Sequence, residues 1–163
     1  LREKDLTEKE YKDLATKVIE ICNRYNTPCI LHNFTKVALE LNHPYIHRPL
    51  HILVNISAED RGKFKVLGAS CHSADDAVKA EKLGCAYITA GHIFDTDCKK
   101  GLPGRGLDFL KNVCESVKIP VYAIGGISSE KIKAVKNAGA KGVCVMSGVM
   151  MCEDVEEYLG EFK

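Results

Sequence analysis

No apolar run in this 163-residue sequence approaches the roughly 20 residues needed to span a bilayer, and residues 1–20 mix charged and apolar positions rather than forming an apolar leader. A membrane partner is not expected. Net charge is nearly absent as well: 23 basic and 22 acidic side chains give +1 with the signs interspersed, so no field of one sign exists to hold a nucleic-acid backbone. Eight cysteines are present, but no two stand at the two-residue spacing of a zinc knuckle or redox motif. Cys22, Cys29, Cys85, Cys114 and Cys144 fall at apolar positions of apparent helices and strands. They read as small core residues of a reduced, cytoplasmic protein rather than as a disulfide scaffold. Also missing is a G-x-G-x-x-G after an early strand, which lowers an open doubly wound nucleotide-binding sheet to second choice.

What the chain does have is 45% hydrophobic residues, enough for one core, and residues 1–163 read as a single domain without a linker. The same unit recurs: a short β-branched run, a polar loop, then an amphipathic helix. Strands are expected at Cys29–His32, Tyr45–His47, Lys65–Ala69, Ala86–Ala90, Val121–Ile124 and Val143–Met146. Thr7 with Glu10 forms a capping box for the first helix, Ser73 caps a helix ending near Gly84, Leu107–Val117 stops before Pro120, and a helix runs from Ser128 to Gly139. Strands apolar along their whole length, joined by helices, point to an α/β protein of the parallel (β/α)8 TIM-barrel type. Six strands are plain, and Leu1-Arg2-Glu3-Lys4 reads as the tail of a seventh. Closure takes eight, so the expectation is that the first strand and its helix are absent from the sequence as given.

In such a barrel the functional groups sit on loops after the strands, with phosphate sites after the last two. Here those two loops begin Gly125-Gly126 and Ser147-Gly148, small residues that leave backbone N–H groups bare. Glycines that merely turn the chain would explain either loop alone; the pair at neighbouring strands favours a phosphate. The other rich segment is the long loop Gly91–Gly106, and His92 at its start would place an imidazole over the barrel mouth, where it could shuttle a proton. His32, His47, His51 and His72 also lie near strand ends. A metal clamp by His47 and His51 is disfavoured, because Pro49 stands between them and no second ligand pair is evident. Cys98 beside Lys99 and Lys100 has no partner fixed by spacing, and Lys82 reads as part of a solvated face.

Several segments, in this order, resemble the superfamily of thiamine phosphate synthases and thiazole tautomerases (ThiE-like and TenI-like), which are β/α barrels. They are Leu1-Arg2-Glu3-Lys4 before a capped helix, Gly68-Ala69-Ser70-Cys71-His72-Ser73, the Gly91–Gly106 loop, Ala123-Ile124-Gly125-Gly126-Ile127 and Val145-Met146-Ser147-Gly148-Val149. The resemblance implies a small phosphorylated thiazole as partner, with its phosphate at Gly125, Gly126, Ser147 and Gly148. Arg2, Lys4, Asn33, Ser70, Thr96 and Lys99 match the positions at which the synthases bind a diphosphate. The synthases join a pyrimidine diphosphate to a thiazole phosphate with Mg²⁺ held by carboxylates. Their Asn-Asp corresponds here to Asn33-Phe34, and the stretch where a second aspartate belongs reads His47-Arg48-Pro49-Leu50-His51. The Gly91–Gly101 segment resembles the tautomerases more, with His92 where synthases commonly carry proline. The leading expectation is therefore a thiazole tautomerase-like isomerase that uses His92 as acid and base and needs no cofactor. A Mg²⁺-dependent synthase is the alternative, and a catalytically silent thiazole-phosphate binder is the third reading. Assembly into a homo-oligomer is left open.

Overall fold

The computed structural model describes residues 1–162. The first helix, α1 (Glu8–Arg24), begins where Thr7 and Glu10 exchange hydrogen bonds. The Glu10 carboxylate accepts from the Thr7 N–H at 2.9 Å, and the Thr7 hydroxyl oxygen accepts from the Glu10 N–H at 3.3 Å. After it come β1 (Leu31–His32), α2 (Thr35–Glu40), β2 (Tyr45–Pro49), two short helices α3 (Leu50–Leu53) and α4 (Ala58–Gly62), and β3 (Val66–Cys71). Then follow α5 (Ala74–Lys82), capped by the Ser73 hydroxyl, β4 (Tyr87–Gly91), α6 (Gly106–Ser116), β5 (Val121–Ile124), α7 (Ile132–Asn137), β6 (Gly142–Cys144), α8 (Ser147–Met151) and α9 (Val155–Gly160).

All six strands are parallel, and their spatial order is their chain order, β1-β2-β3-β4-β5-β6. A doubly wound sheet needs a point where that order reverses, and there is none. Strands added one after another in one direction build the wall of a β/α barrel, with crossover helices packed outside. Among the described residues the wall has the six plainly expected strands, and none of the pairings joins β6 to β1. Leu1–Lys4 is not a seventh strand either; the Leu1 nitrogen donates to the Ile30 carbonyl at 2.6 Å, and the segment makes no strand ladder.

The core lies between the sheet and α1, α2, α5, α6 and α7. Tyr11, Leu31, Ile46, Leu53, Ile88, Leu110, Val113 and Val135 are completely or almost completely buried there. Burial of such side chains, each stabilising by about 1.5–3 kcal/mol, holds the helices to the wall. Two expected elements are shorter than their sequence pattern. Beta-branched Val143 and Val145 suggest a strand to Met146, yet β6 ends at Cys144, because its partner β5 stops pairing at Ile124 and turns away at Gly125 with φ +99°. The helix expected from Ser128 opens as a 3₁₀ turn at Ser129–Lys131, and the Ser128 side chain makes no capping hydrogen bond. No helix among the described residues is long and apolar enough to cross a membrane, and all eight cysteines are free thiols, with Cys29, Cys71 and Cys85 buried.

Candidate active site

A cavity of about 550 Å³ opens at the C-terminal ends of the strands. Parallel pairing puts equivalent positions of successive strands side by side, so the last inward-facing residue of each strand meets its neighbours at one depth. His32 of β1 is in register with His47 of β2, and their rings stack with centroids 5.4 Å apart. His47 is buried, with Nδ1 3.0 Å from the Tyr87 hydroxyl and Nε2 2.8 Å from Ser70 Oγ, while Thr89 donates to the same Ser70 oxygen at 3.4 Å. These side chains form a polar floor in which both His47 nitrogens are occupied. Burial lowers the His47 pKa to about 3, and burial with the nearby Arg2 and Arg48 charges lowers His32 to about 4, so both rings are neutral at pH 7.

Above the floor, Arg2, Lys4 and Lys99 line one part of the cavity, and Gly125, Gly126, Ser147 and Gly148 another, with Ile124, Ile127 and Met146 as apolar wall. Gly125 and Gly126 have φ of +99° and +63°, and their N–H groups meet no acceptor among the described residues. Their missing side chains also matter sterically. A Cβ at Gly125 would overlap that of His92, and one at Gly126 would overlap the Asp95 and Phe94 carbonyls. Both readings of these glycines therefore have a physical basis, as a close approach between two loops and as bare donors at a cavity edge.

His92 is half-buried on the cavity wall, with Nε2 3.2 Å from the Leu102 carbonyl. That contact makes Nε2 the protonated nitrogen and leaves Nδ1 as an acceptor. The loop behind it is closed by the Asp95 carboxylate, which accepts from the Gly104 N–H at 2.6 Å, and by the Arg105 guanidinium, which donates to the His72 carbonyl. Ser70, Thr96 and Cys98 also line the cavity. Asn33 does not: with φ +72° it turns β1 into α2, and its amide oxygen is buried without a partner. His51 is exposed on α3 and outside the cavity, so the His47–His51 clamp is not formed. The polar floor was missed by sequence reasoning. Its signal was there, in His32, His47, Ser70 and Thr89 interrupting otherwise apolar strands near their C-terminal ends.

A parallel β/α wall with a cationic, glycine-edged cavity at its strand ends defines a class of enzymes that handle small phosphorylated molecules. Comparison with known proteins then gives the family. A family model described as thiamine monophosphate synthase matches residues 1–149, and the chain belongs to that family. It is 34% identical over 162 residues to a thiamine-phosphate synthase of Clostridium tetani (strain Massachusetts / E88), covering 96% of this chain and 76% of that protein. It is 36% identical over 157 residues to thiamine-phosphate synthase 2 of Streptococcus pneumoniae serotype 4 (strain ATCC BAA-334 / TIGR4), covering 96% and 75%. Among solved structures, thiamine phosphate pyrophosphorylase from Pyrococcus furiosus superposes with a TM-score of 0.82 at 30% identity, over 99% of this chain and 78% of that one. FabK from Thermotoga maritima, with a TM-score of 0.65 at 20% identity, shares the fold alone.

These matches overturn the tautomerase expectation. It rested on the Gly91–Gly101 loop with His92 and on the carboxylates missing at Phe34 and in the His47–His51 stretch, whereas similarity to proteins named as synthases extends over nearly the whole chain. The isomerase assignment goes with it.

Synthases of this family use Mg²⁺, an ion that takes oxygen ligands and is usually held by one or two carboxylates together with substrate phosphates. The residues here do not fit a protein-held magnesium ion. No Asp or Glu lines the cavity, and no group of three or more His, Cys, Asp or Glu among the described residues could hold a metal. Phe34, at the expected aspartate position, stacks on Tyr11 with ring centroids 4.1 Å apart, and Leu50 in the second stretch is buried at 6% exposure.

Proposed function

We propose that this chain is a thiamine-phosphate synthase-type transferase that joins a pyrimidine diphosphate to a thiazole phosphate with release of pyrophosphate. The observation that supports it best is a single cavity with cationic side chains and a glycine-serine edge, one suited to each anionic substrate group. Arg2, Lys4 and Lys99 bind the diphosphate and neutralise the charge that builds as it leaves, with Ser70 and Thr96 hydrogen-bonding it. The N–H groups of Gly125, Gly126, Ser147 and Gly148 hold the thiazole phosphate, and Ile124, Ile127 and Met146 take the rings. Holding both partners in one site makes the displacement effectively unimolecular, which is the main source of rate. His92 is a wall and hydrogen-bonding residue in this scheme, since displacement of a leaving group at carbon asks it for no proton transfer. Asn33 acts indirectly, from the turn after β1, through its side chain beside His32. Residues 1–163 act as one β/α-barrel unit in this reading.

The test is formation of the coupled product from the two substrates by the full chain, followed by chromatography. Product is expected, and Arg2→Gln should lower kcat/KM by about 10- to 100-fold, the cost of one charge-assisted hydrogen bond to the leaving group. A chain that binds both substrates and forms no product refutes the proposal.

A further inference from the structure

The misfit between the cavity and a magnesium ion has a chemical consequence. We infer that this chain binds diphosphate directly through its own cations, with no metal ion held by the protein. The inference rests on the transferase reading for its choice of anion, and on the lining of the cavity for everything else.

A diphosphate carries several negative charges, and a site must neutralise them with something. Where carboxylates hold a magnesium ion, the ion does so, and the carboxylates offset the charge of the surrounding lysines and arginines. Here the offsetting acids are gone and the cations remain. Arg2, Lys4 and Lys99 line the cavity, and no acidic side chain does. Asp95, in the loop that carries Lys99, is turned to the Gly104 N–H. Behind the floor lies another positive group, Arg48, which is 7% exposed with Nε and Nη1 lacking partners, and which acts on His32 together with Arg2. A dication entering this cavity meets several like charges and no anionic oxygen of the protein; a polyanion meets the reverse.

The residues at the two metal positions cannot be recruited by a small movement. Phe34 is locked between Tyr11 and the core, and the β2 end runs into the buried Leu50 through Pro49, which is itself paired in register with Ser70. The hydroxyls that do face the cavity, those of Ser70, Thr89, Thr96 and Ser147, are neutral, and none supplies the carboxylate oxygen by which a protein usually holds magnesium. His32 and His47 offer nitrogen, which magnesium takes poorly compared with oxygen.

The test is calorimetric titration of inorganic pyrophosphate into the full chain, in EDTA and again in excess MgCl₂. Binding in EDTA is expected to be at least as tight as in magnesium, because the free anion carries more charge than its magnesium complex. Lys99→Gln, at an exposed loop position that leaves the fold intact, should weaken pyrophosphate about tenfold under both conditions. Mn²⁺ titrated into the protein alone should keep the electron paramagnetic resonance signal of the free ion. Pyrophosphate binding that appears only with Mg²⁺, or no binding under either condition, overturns the inference. The transferase reading fails separately: tight metal-free pyrophosphate binding without product formation would refute that reading and leave this one standing.

Discussion

Gly125→Ala is expected to destabilise the protein by about 3 kcal/mol, the sum of a backbone penalty near 1 kcal/mol for an alanine at positive φ and an overpacking penalty of about 1–3 kcal/mol. Gly125 has φ +99°, and a Cβ there would occupy the place of the His92 Cβ. The collision is between two pieces of backbone that cannot both keep their positions. Ile93 N donates to the Ile124 carbonyl at 3.0 Å, and Phe94 N to the Gly125 carbonyl at 3.1 Å, so the ladder between β4 and β5 continues through this point. Relief requires His92 to move out and those bonds to lengthen. Gly84→Ala is the matched control, because Gly84 has φ +87° but no atom within 4 Å of the place a Cβ would take. It should lose only the backbone part. For a chain of this size the difference of about 2 kcal/mol corresponds to a gap of roughly 4–8 °C in thermal midpoint. Equal midpoints for the two variants would show that the close approach at Gly125 carries no strain.

How much of this was legible in the sequence depends on whether the cause was local. The Thr7–Glu10 box and the Ser73 cap are reciprocal bonds within four residues, and both formed as the sequence implies. The parallel order of strands follows from alternation with helices, and it is the order found. Failures came where a distant partner decides. Val145 and Met146 have strand character, but a strand needs a neighbour, and Gly125 had already bent β5 away. Ser128 stands at a helix start, yet its loop is tied elsewhere, with Lys131 Nζ donating to the Gly126 carbonyl at 2.7 Å and its ammonium 4.6 Å above the Phe94 ring.

The site divides the same way. His92, Gly125, Gly126, Ser147 and Gly148 line the cavity and were legible from barrel topology, which places loops after strands at the mouth; Arg2, Lys4, Ser70, Thr96 and Lys99 line it too, and were legible only through the family resemblance. Asn33 shares that address but is not itself among the lining residues: with φ +72° it turns β1 into α2, and its side chain lies beside His32. The polar floor went unread because its members belong to four strands and meet only through register. The activity was not legible for a different reason: a loop bearing His92 and two missing carboxylates are local features, whereas the similarity to synthases is spread over the whole chain.

That floor makes the protein acid-sensitive well above the range in which carboxylates titrate. His47 has its pKa lowered from an ordinary 6.5 to about 3 by burial first and the neighbouring His32 second. Well above pH 6.5 neither the folded nor the unfolded chain protonates this ring, and it contributes no pH dependence. As pH falls from 6.5 toward 3 the unfolded chain binds the proton and the folded one does not, so stability drops. The slope approaches 1.4 kcal/mol per pH unit, which gives a loss of about 2–3 kcal/mol between pH 6.5 and 4.5 from His47 alone. His32 acts in the same direction with a smaller contribution, being less buried and lowered only to about 4. Exposed carboxylates with lowered pKa values, such as Glu40 beside Lys12 and Asp60 beside Lys63, act at lower pH and do not account for losses above 4.5. Urea unfolding at pH 7.5, 6.5, 5.5 and 4.5 measures the slope directly. His47→Gln keeps polar reach toward Tyr87 and Ser70 without a titrating ring, so its stability at pH 7.5 should be lower but its decline with acid much flatter. A variant whose stability falls as steeply as the parent's would move the acid sensitivity away from the floor and leave the neutral, buried state of His47 without support.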